Sequence, residues 1–300
     1  MKKRPMGIGL GILAVMCASY LGVSGYTAVL QERQKEESEA AKIYLTSGST
    51  VIEIGYETET LAVDFVKNDS GGWERRDDSE FPVNSSRVDS LAAAAEKLEA
   101  VRSLGIAEDL EEYGLDKPAY RFTVKGEDGA EVTLYIGNET SGGEYYARKD
   151  GDNLVYTVGD ALVTLAGDSL YDWIKLDELP NITSEDITEI RIERDGQTAR
   201  FLGDEDGWPD EAAVSIAALS VDSCVDFNPS DEKMEEYGLD SQRLTLTYTY
   251  TSGDESGTVS LEVGAETEDG LYYYTKLENS KAVNLMLKAS VDEILSALQF

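Results

Sequence analysis

The side chains best suited to chemistry in this sequence are carboxylates. The chain of 300 residues contains 59 Asp and Glu residues and no histidine. Without histidine the usual general base at neutral pH is missing, which excludes Ser-His-Asp and Cys-His catalysis and histidine-ligated metal sites. Paired carboxylates could support glycoside hydrolysis, although so acidic a chain contains such pairs by chance. A carboxylate-based hydrolase is therefore our weakest hypothesis, and we expect the protein not to be an enzyme.

Two acidic clusters offer oxygen ligands of the kind that calcium prefers. They are Asp-Glu-Asp-Gly at 204–207 and Asp-Gly-Asp at 150–152. Neither has the twelve-residue loop with a closing glutamate that an EF-hand requires. Both fall where hairpin turns are expected, which favours solvated turns over metal sites. We predict no metal and no cofactor.

The two cysteines differ in their surroundings. Cys17 lies in the apolar N-terminal run, whereas Cys224 is the only cysteine of the remaining chain. No disulfide can therefore form within the larger part of the protein. The nearby carboxylate of Asp222 disfavours a thiolate, so Cys224 is predicted to be a buried structural thiol rather than a reactive one.

Charge is unevenly distributed along the chain. Residues 1–30 carry a net charge of +3 and residues 31–42 carry −1. Because the whole chain carries −33, residues 43–300 must carry −35. This field repels the phosphate backbone, and a nucleic-acid partner is excluded. The 41% hydrophobic content is nevertheless enough to build a core.

The N-terminal region predicts a membrane anchor. Residues 6–30 contain no charged side chain, and as a helix they would span roughly 37 Å, more than the hydrocarbon core. The basic start, residues 1–5, places the N-terminus in the cytoplasm. A charged stalk, residues 31–42, would then lift the bulk of the chain off the extracytoplasmic face of the membrane. A cleaved signal peptide and a lipoprotein signal at Cys17 remain alternatives.

Small residues recur along this anchor at helical spacing. They would form one stripe, and such stripes allow close helix pairing in lipid. The stripe predicts packing against a membrane-protein partner or a second molecule, although Gly and Ala are also common in membrane helices in general. Its members are Gly7, Gly11, Ala14, Ala18, Gly22 and Gly25.

One sequence pattern occurs twice. The string Glu-Glu-Tyr-Gly-Leu-Asp ends at Asp116 and again at Asp240. We expect the tyrosine to end a short helix, the glycine to adopt the left-handed conformation, and the leucine to pack back on the preceding turn. The alternative is a ligand groove between the copies, lined by Tyr113 or Asp116. The candidate residues are Tyr113, Gly114, Leu115, Asp116, Tyr237, Gly238, Leu239 and Asp240.

The surrounding elements repeat in the same order. Each copy reads as a hairpin ending in tryptophan, a helix, the Tyr-Gly-Leu-Asp turn, three or four antiparallel strands and a closing helix. The last closing helix has one apolar face, formed by Val291, Ile294, Leu295 and Leu298. The predicted class is α+β, with two tandem repeats of an antiparallel sheet and flanking helices, preceded by one transmembrane helix. The copies are placed at 43–180 and 181–300.

These motifs resemble a known family. Tyr113-Gly-Leu-Asp-Lys-Pro118, Leu134-Tyr-Ile-Gly137 and Tyr145-Tyr-Ala-Arg148 are similar to the bacterial domain of unknown function DUF4340. The second copy departs from the family pattern, because Gln242 stands where the family has proline. The resemblance implies an envelope protein of the kind often linked to ABC-type transporters or gliding-type export systems. It supplies no catalytic residues.

The leading hypothesis is therefore a non-enzymatic, membrane-anchored, extracytoplasmic accessory or scaffold protein. Its expected partners are the membrane and a membrane protein such as transporter subunits. The rival hypothesis is an extracytoplasmic binding module for a cationic peptide, a metal ion or a cell-wall glycan.

Overall fold

The computed structural model describes residues 42–240 and 244–299. The predicted anchor, its small-residue stripe and nearly all of the stalk lie outside the described residues. Within the described ranges, no helix combines the length and the apolar character needed to cross a membrane.

The described chain is dominated by β-strands. They are β1 Ile43–Tyr44, β2 Val51–Glu57, β3 Ala62–Lys67, β4 Trp73–Arg75, β5 Glu99–Ile106, β6 Tyr120–Gly126, β7 Glu131–Glu139, β8 Tyr145–Lys149, β9 Leu154–Val158, β10 Ile187–Arg194, β11 Gln197–Leu202, β12 Ser223–Phe227, β13 Leu244–Ser252, β14 Glu255–Glu266, β15 Tyr272–Leu277 and β16 Ala282–Leu287.

Helices are short and follow the strands of each copy. The α-helices are α1 Ser85–Glu96, α2 Ala161–Leu165, α3 Asp210–Ala217, α4 Asp231–Glu236 and α5 Lys288–Leu298. Single turns of 3-10 helix are Glu111–Tyr113, Leu170–Trp173 and Ser184–Asp186.

The chain divides into two compact units. One includes the described residues up to 51 together with 94–160, and the other includes 52–93 and 161–300. The hairpin and most of the first helix of copy one thus belong to the same unit as all of copy two. The copy limits at 180 and 181 stay a prediction.

The first unit holds an antiparallel meander. Its strands are ordered β1-β5-β9-β8-β7-β6, and each neighbouring pair is antiparallel. Tight turns at Gly126–Gly129 and after Lys149 join neighbouring strands, as short antiparallel connections require.

The second unit contains a seven-stranded antiparallel sheet and the β2-β3 hairpin, to which β4 adds a third strand. The sheet order is β11-β10-β13-β14-β15-β16-β12. Its strands β12 to β16 follow the same order as β5 to β9 in the first unit, and β10-β11 corresponds to β2-β3. The predicted repeat and the predicted antiparallel, α+β class are confirmed at this level.

The core of the seven-stranded sheet lies on the face covered by α3 and α5. Ile190 and Ile192 of β10 point into it, as do Leu244, Leu246 and Tyr248, which alternate along β13. The predicted apolar face of the closing helix is confirmed, because Val291, Ile294 and Leu298 are buried in this core.

Two strands of the sheets carry the same irregularity. In β5 the pairing with β9 shifts between Ser103 and Gly105, and in β12 the pairing with β16 shifts between Cys224 and Asp226. Each shift is a β-bulge that leaves one extra residue unpaired. Leu154-Val155-Tyr156 of β9 and Ala282-Val283-Asn284 of β16 hold the same place in the two copies. Gly105 faces Val155 and Asp226 faces Val283, so Asp226 occupies in copy two the position of Gly105 in copy one.

Candidate functional site

The Tyr-Gly-Leu-Asp turn of copy one closes a single turn of 3-10 helix. Gly114 has φ of 67°, and its N–H donates to the Glu111 carbonyl at 3.0 Å. The N–H of Leu115 donates to the Leu110 carbonyl at 2.9 Å, and the Leu115 side chain is fully buried. Glycine is needed because an L side chain is strained at this φ. The predicted helix-ending role is thus confirmed.

Copy two builds the same turn at the end of α4. Gly238 also has φ of 67°, and its N–H donates to the Glu235 carbonyl at 3.0 Å. Leu239 repeats the backbone bond of Leu115, to Met234, and is likewise buried. The final aspartates differ in environment, since Asp116 is exposed whereas Asp240 is half-buried.

The backbone of each turn packs directly against a glycine on the neighbouring strand. A Cβ added at Gly137 would lie 2.2 Å from the Tyr113 carbonyl oxygen, and one added at Gly264 would lie 2.2 Å from the Tyr237 carbonyl oxygen. No side chain fits at that distance. The glycine that ends the Leu-Tyr-Ile-Gly motif is therefore part of the same structural unit as the turn.

The tyrosine of each turn contacts a second tyrosine on the next strand. The ring centroids of Tyr113 and Tyr146 are 5.0 Å apart, and those of Tyr237 and Tyr274 are 4.7 Å apart. These geometries are within the range of favourable aromatic contacts. The repeated residues thus form a packing motif within each copy. The groove hypothesis for Tyr113 and Asp116 stays a prediction.

Only copy two adds a carboxylate to this motif. Asp226 Oδ2 accepts a hydrogen bond from the Tyr237 hydroxyl at 3.1 Å, and its Oδ1 accepts one from the Tyr171 hydroxyl at 3.0 Å. We call these three residues the tyrosine–aspartate cluster. In copy one the equivalent of Asp226 is Gly105, so no carboxylate is available there.

Electrostatics keep both tyrosines of this cluster protonated. Burial, followed by the Asp226 carboxylate, raises the pKa of Tyr171 and of Tyr237 above the usual value. A phenol with a raised pKa donates hydrogen bonds at neutral pH and does not act as a base. The cluster therefore suits holding two elements together rather than proton transfer.

Tyr171 comes from the segment that follows α2, residues 167–179, which we call the tail segment. The tail segment is anchored by Trp173, which is fully buried and donates from Nε1 to the Tyr56 hydroxyl at 2.9 Å. That hydroxyl also donates to the Gly167 carbonyl at 2.7 Å and accepts from the Gly167 N–H at 2.9 Å. Three hydrogen bonds at one buried oxygen hold the start of the segment in one position.

The far end of the tail segment lies on the sheet of copy two. Asp177 Oδ2 accepts from the side-chain Nδ2 of Asn284 at 2.7 Å, and Asn284 is buried in β16. Leu179 then packs against the core of that sheet. Sequence analysis gave no role to Asp226, Asp177 or Asn284, because their hydrogen-bond partners lie far away in the sequence or in other elements.

A second polar cluster lies at the start of α5. The Lys288 ammonium donates to Asp292 Oδ2 at 2.6 Å and to the Tyr273 hydroxyl at 3.0 Å, and that hydroxyl donates to Asp292 Oδ1 at 3.0 Å. Hydrogen bonding to Asp292 raises the pKa of Lys288, and the same bond lowers the pKa of Asp292. A lysine held protonated in this way is no nucleophile.

The predicted structural role of Cys224 is confirmed. The thiol is buried, lies 3.3 Å from the Asp226 carbonyl oxygen, and forms no disulfide. Burial raises its pKa to about 12, so the thiolate is scarce at neutral pH.

The chain is similar to a known protein family along most of its length. Residues 73–214 and 209–297 both match the model of the domain of unknown function DUF4340. The chain belongs to the DUF4340 family. Each match includes one Tyr-Gly-Leu-Asp turn, so the chain contains two copies of the DUF4340 domain. Neither the curated proteins nor the solved structures give a match.

The described part of this DUF4340 protein has an acidic cleft but no obvious metal site. In residues 42–240 and 244–299 no group of three or more His, Cys, Asp or Glu side chains is placed to hold a metal ion. The two acidic clusters noted above lie in turns. A shallow cleft of about 220 Å³ is lined by Asp177, Glu178, Thr258, Val259, Ser260, Leu277, Glu278, Asn279 and Ser280.

Proposed function

We propose that this DUF4340 protein acts without catalysis as a membrane-anchored, extracytoplasmic accessory or scaffold protein of an ABC-type transporter or a related envelope complex. The observation that supports the proposal is the set of hydrogen bonds that hold the tail segment in place. Tyr171, Trp173 and Asp177 each use their polar atoms to hold this segment against neighbouring elements. Such contacts suit a protein that presents fixed surfaces to a partner.

The polar clusters support the same proposal. In both of them the titratable groups are shifted towards the state that donates or accepts structural hydrogen bonds. A catalytic base or nucleophile needs the opposite shift, with the pKa moved towards the working pH. The sequence adds the predicted anchor and its small-residue stripe, which suit a protein that works beside a membrane complex.

Mild-detergent purification of the full-length protein from its native membrane tests this proposal. Mass spectrometry should identify transporter permease or ATPase subunits that reproducibly accompany it. Replacing Gly11 and Ala18 by leucine should reduce their recovery if the stripe forms the contact, whereas replacing Leu10 and Leu13 by alanine is the matched control. A wild-type protein that is recovered without partners would contradict the accessory function.

The acidic cleft favours a second candidate function, which is binding of a cationic peptide. Its wall contains the carboxylates of Asp177, Glu178 and Glu278 beside several hydroxyl and amide groups. Titration of the detergent-solubilised protein with a lysine-rich peptide should detect this binding by calorimetry. If the cleft is the site, Glu278→Gln should weaken binding, and Glu268→Gln, which lies outside the cleft, should not. Equal affinities would remove this candidate.

A further inference from the structure

The outer edge of β5 is open in the described structure. Within residues 42–240 and 244–299, β5 pairs with β1 only through Glu99 and Ala100. The rest of the strand has β9 on one side and no described strand on the other. Three large apolar side chains are exposed there: Val101 by 54%, Leu104 by 43% and Ile106 by 76%. We call these three residues the edge patch.

The equivalent edge in copy two is covered by the chain itself. Phe227 of β12 corresponds to Ile106, because their partners Ala282 and Leu154 are equivalent. The Phe227 ring contacts the Phe81 ring at 5.6 Å in a T-shaped arrangement. At the preceding position Tyr171 binds Asp226, as described above. As a result Val225, Asp226 and Phe227 are all half-buried.

Comparison of β5 with β12 shows that β5 lacks the aromatic side chains that cover the edge of β12. Strands β5 and β12 share a bulge and a position in their sheets. Aromatic side chains cover the edge of β12, whereas the edge of β5 is exposed. Exposed apolar groups on a sheet edge are a liability in a free protein and commonly mark an interaction site. Bulges after Ala100 and Ser103 disturb the backbone ladder, so side-chain packing, as on β12, suits this edge better than addition of a regular strand.

The negative charge beside the edge patch indicates which kind of partner could bind there. Beyond the edge patch the chain continues with four exposed carboxylates, those of Glu108, Asp109, Glu111 and Glu112. A second molecule would bring the same carboxylates and the same large negative charge to the contact. A partner with basic residues would complement them instead.

We infer that the edge patch binds a segment of a different protein that carries aromatic and basic side chains. The aromatic groups cover Leu104 and Ile106 as Phe81 and Tyr171 cover β12, and the basic groups face the carboxylates that follow β5. This inference rests on the proposed accessory function for the source of the segment.

A peptide titration tests the chemistry of this surface directly. The probe is a fluorescent peptide of ten residues with two phenylalanines, three lysines and five serines, and its control carries glutamates in place of the lysines. The lysine peptide should bind full-length protein in detergent saturably. The paired substitution Leu104→Ser and Ile106→Ser should weaken binding at least 10-fold, whereas Val214→Ser with Leu287→Ser, at exposed apolar sites elsewhere, should not.

Three results would overturn the inference. They are no saturable binding of the lysine peptide, equal binding by the two paired variants, and equal affinity for the glutamate peptide. A wild-type dimer that the edge variant converts to a monomer would instead assign the patch to a second molecule, and would also overturn it.

Purification from native membranes separates this inference from the proposed function. Transporter subunits should accompany the wild type and the Val214/Leu287 control, and their recovery should fall at least five-fold with the edge variant. Full recovery with the edge variant would overturn the assigned surface while the accessory function stands. If the wild type brings no such subunits, the accessory function fails, and the peptide titration still decides whether the edge patch binds.

Discussion

The Tyr171 hydroxyl donates to the Asp226 carboxylate at 3.0 Å, although the two residues are 55 positions apart in sequence. This bond joins the tail segment to the bulged edge strand of copy two. Since Tyr237 donates to the other oxygen of the same carboxylate, one acidic side chain connects the tail segment to the repeated turn. Copy one has Gly105 at the position of Asp226 and therefore lacks this acceptor.

Removing either hydroxyl should destabilise the protein modestly. Tyr171→Phe and Tyr237→Phe should each lower the free energy of unfolding by about 1.5 kcal/mol, because a hydrogen bond to a charged carboxylate is lost. Asp226→Ala should cost about 2 to 3 kcal/mol, since it leaves two hydroxyls without their acceptor. Urea unfolding measures these changes. Tyr135→Phe is the control, because its bond to Asp150 is exposed; an effect as large as that of Tyr171→Phe would contradict a special role for the cluster.

The two strand glycines against which the turns pack should not tolerate a side chain. Gly137→Ala and Gly264→Ala should each destabilise the protein by about 1 to 3 kcal/mol, because the new Cβ collides with a backbone carbonyl that must then move. Gly159→Ala provides the matched control, since nothing lies within 4 Å of its added Cβ. Thermal unfolding of the three variants compares them. A Gly159→Ala effect equal to the other two would argue against close approach as the cause.

The thiol of Cys224 should react slowly in the folded protein. Its pKa of about 12 leaves far less thiolate at pH 8 than an ordinary cysteine would have. Labelling by a chromogenic disulfide should therefore be at least 100-fold slower in buffer than in denaturant, in a Cys17→Ser background that leaves one thiol. Rapid labelling of the folded protein would contradict burial of this side chain.

The Lys288–Asp292 pair should make stability depend on pH. The pKa of Asp292 is lowered below 3.8 in the folded protein, so the pair stabilises it above that pH and loses this effect as pH falls through the lowered value. Because the pKa of Lys288 is raised above 10.5, the effect is also lost as pH rises through the raised value. Asp292→Asn should therefore destabilise the protein at pH 7, and the difference from wild type should shrink as pH falls below 3.8.

Urea unfolding at several pH values measures the Asp292→Asn difference. Glu178→Gln is a suitable control, since it breaks an exposed pair with Lys175, and exposed pairs contribute little. A difference for Asp292→Asn that is unchanged between pH 7 and pH 2 would show that the amide acts through packing and not through charge.

Local sequence patterns predicted the repeated parts of the fold well. The left-handed glycine, the buried leucine after it and the apolar face of α5 all depend on residues within one or two helical turns of each other. Those relationships are visible as spacing in the sequence. The family membership follows from the same motifs.

The edge strands escaped prediction. Most of β5 is exposed and lacks alternating burial. The β12 sequence, Ser-Cys-Val-Asp-Phe, does not alternate between polar and apolar residues either, so neither shows the period of two that marks a strand. Each becomes a strand because β9 or β16, which lies some fifty residues away in the chain, supplies its hydrogen-bonding partner. The division into compact units likewise cuts across the order of the copies.

The repeat, the turn chemistry, the unreactive cysteine and the lack of histidine catalysis depend on residue type and short spacing, so they can be read from the amino-acid sequence. Which edge is covered and which is open depends on contacts between distant segments. That difference arises because the tail segment brings Tyr171 to Asp226, while Gly105 offers no equivalent acceptor. Contacts of this kind depend on where distant segments meet, which no local pattern encodes.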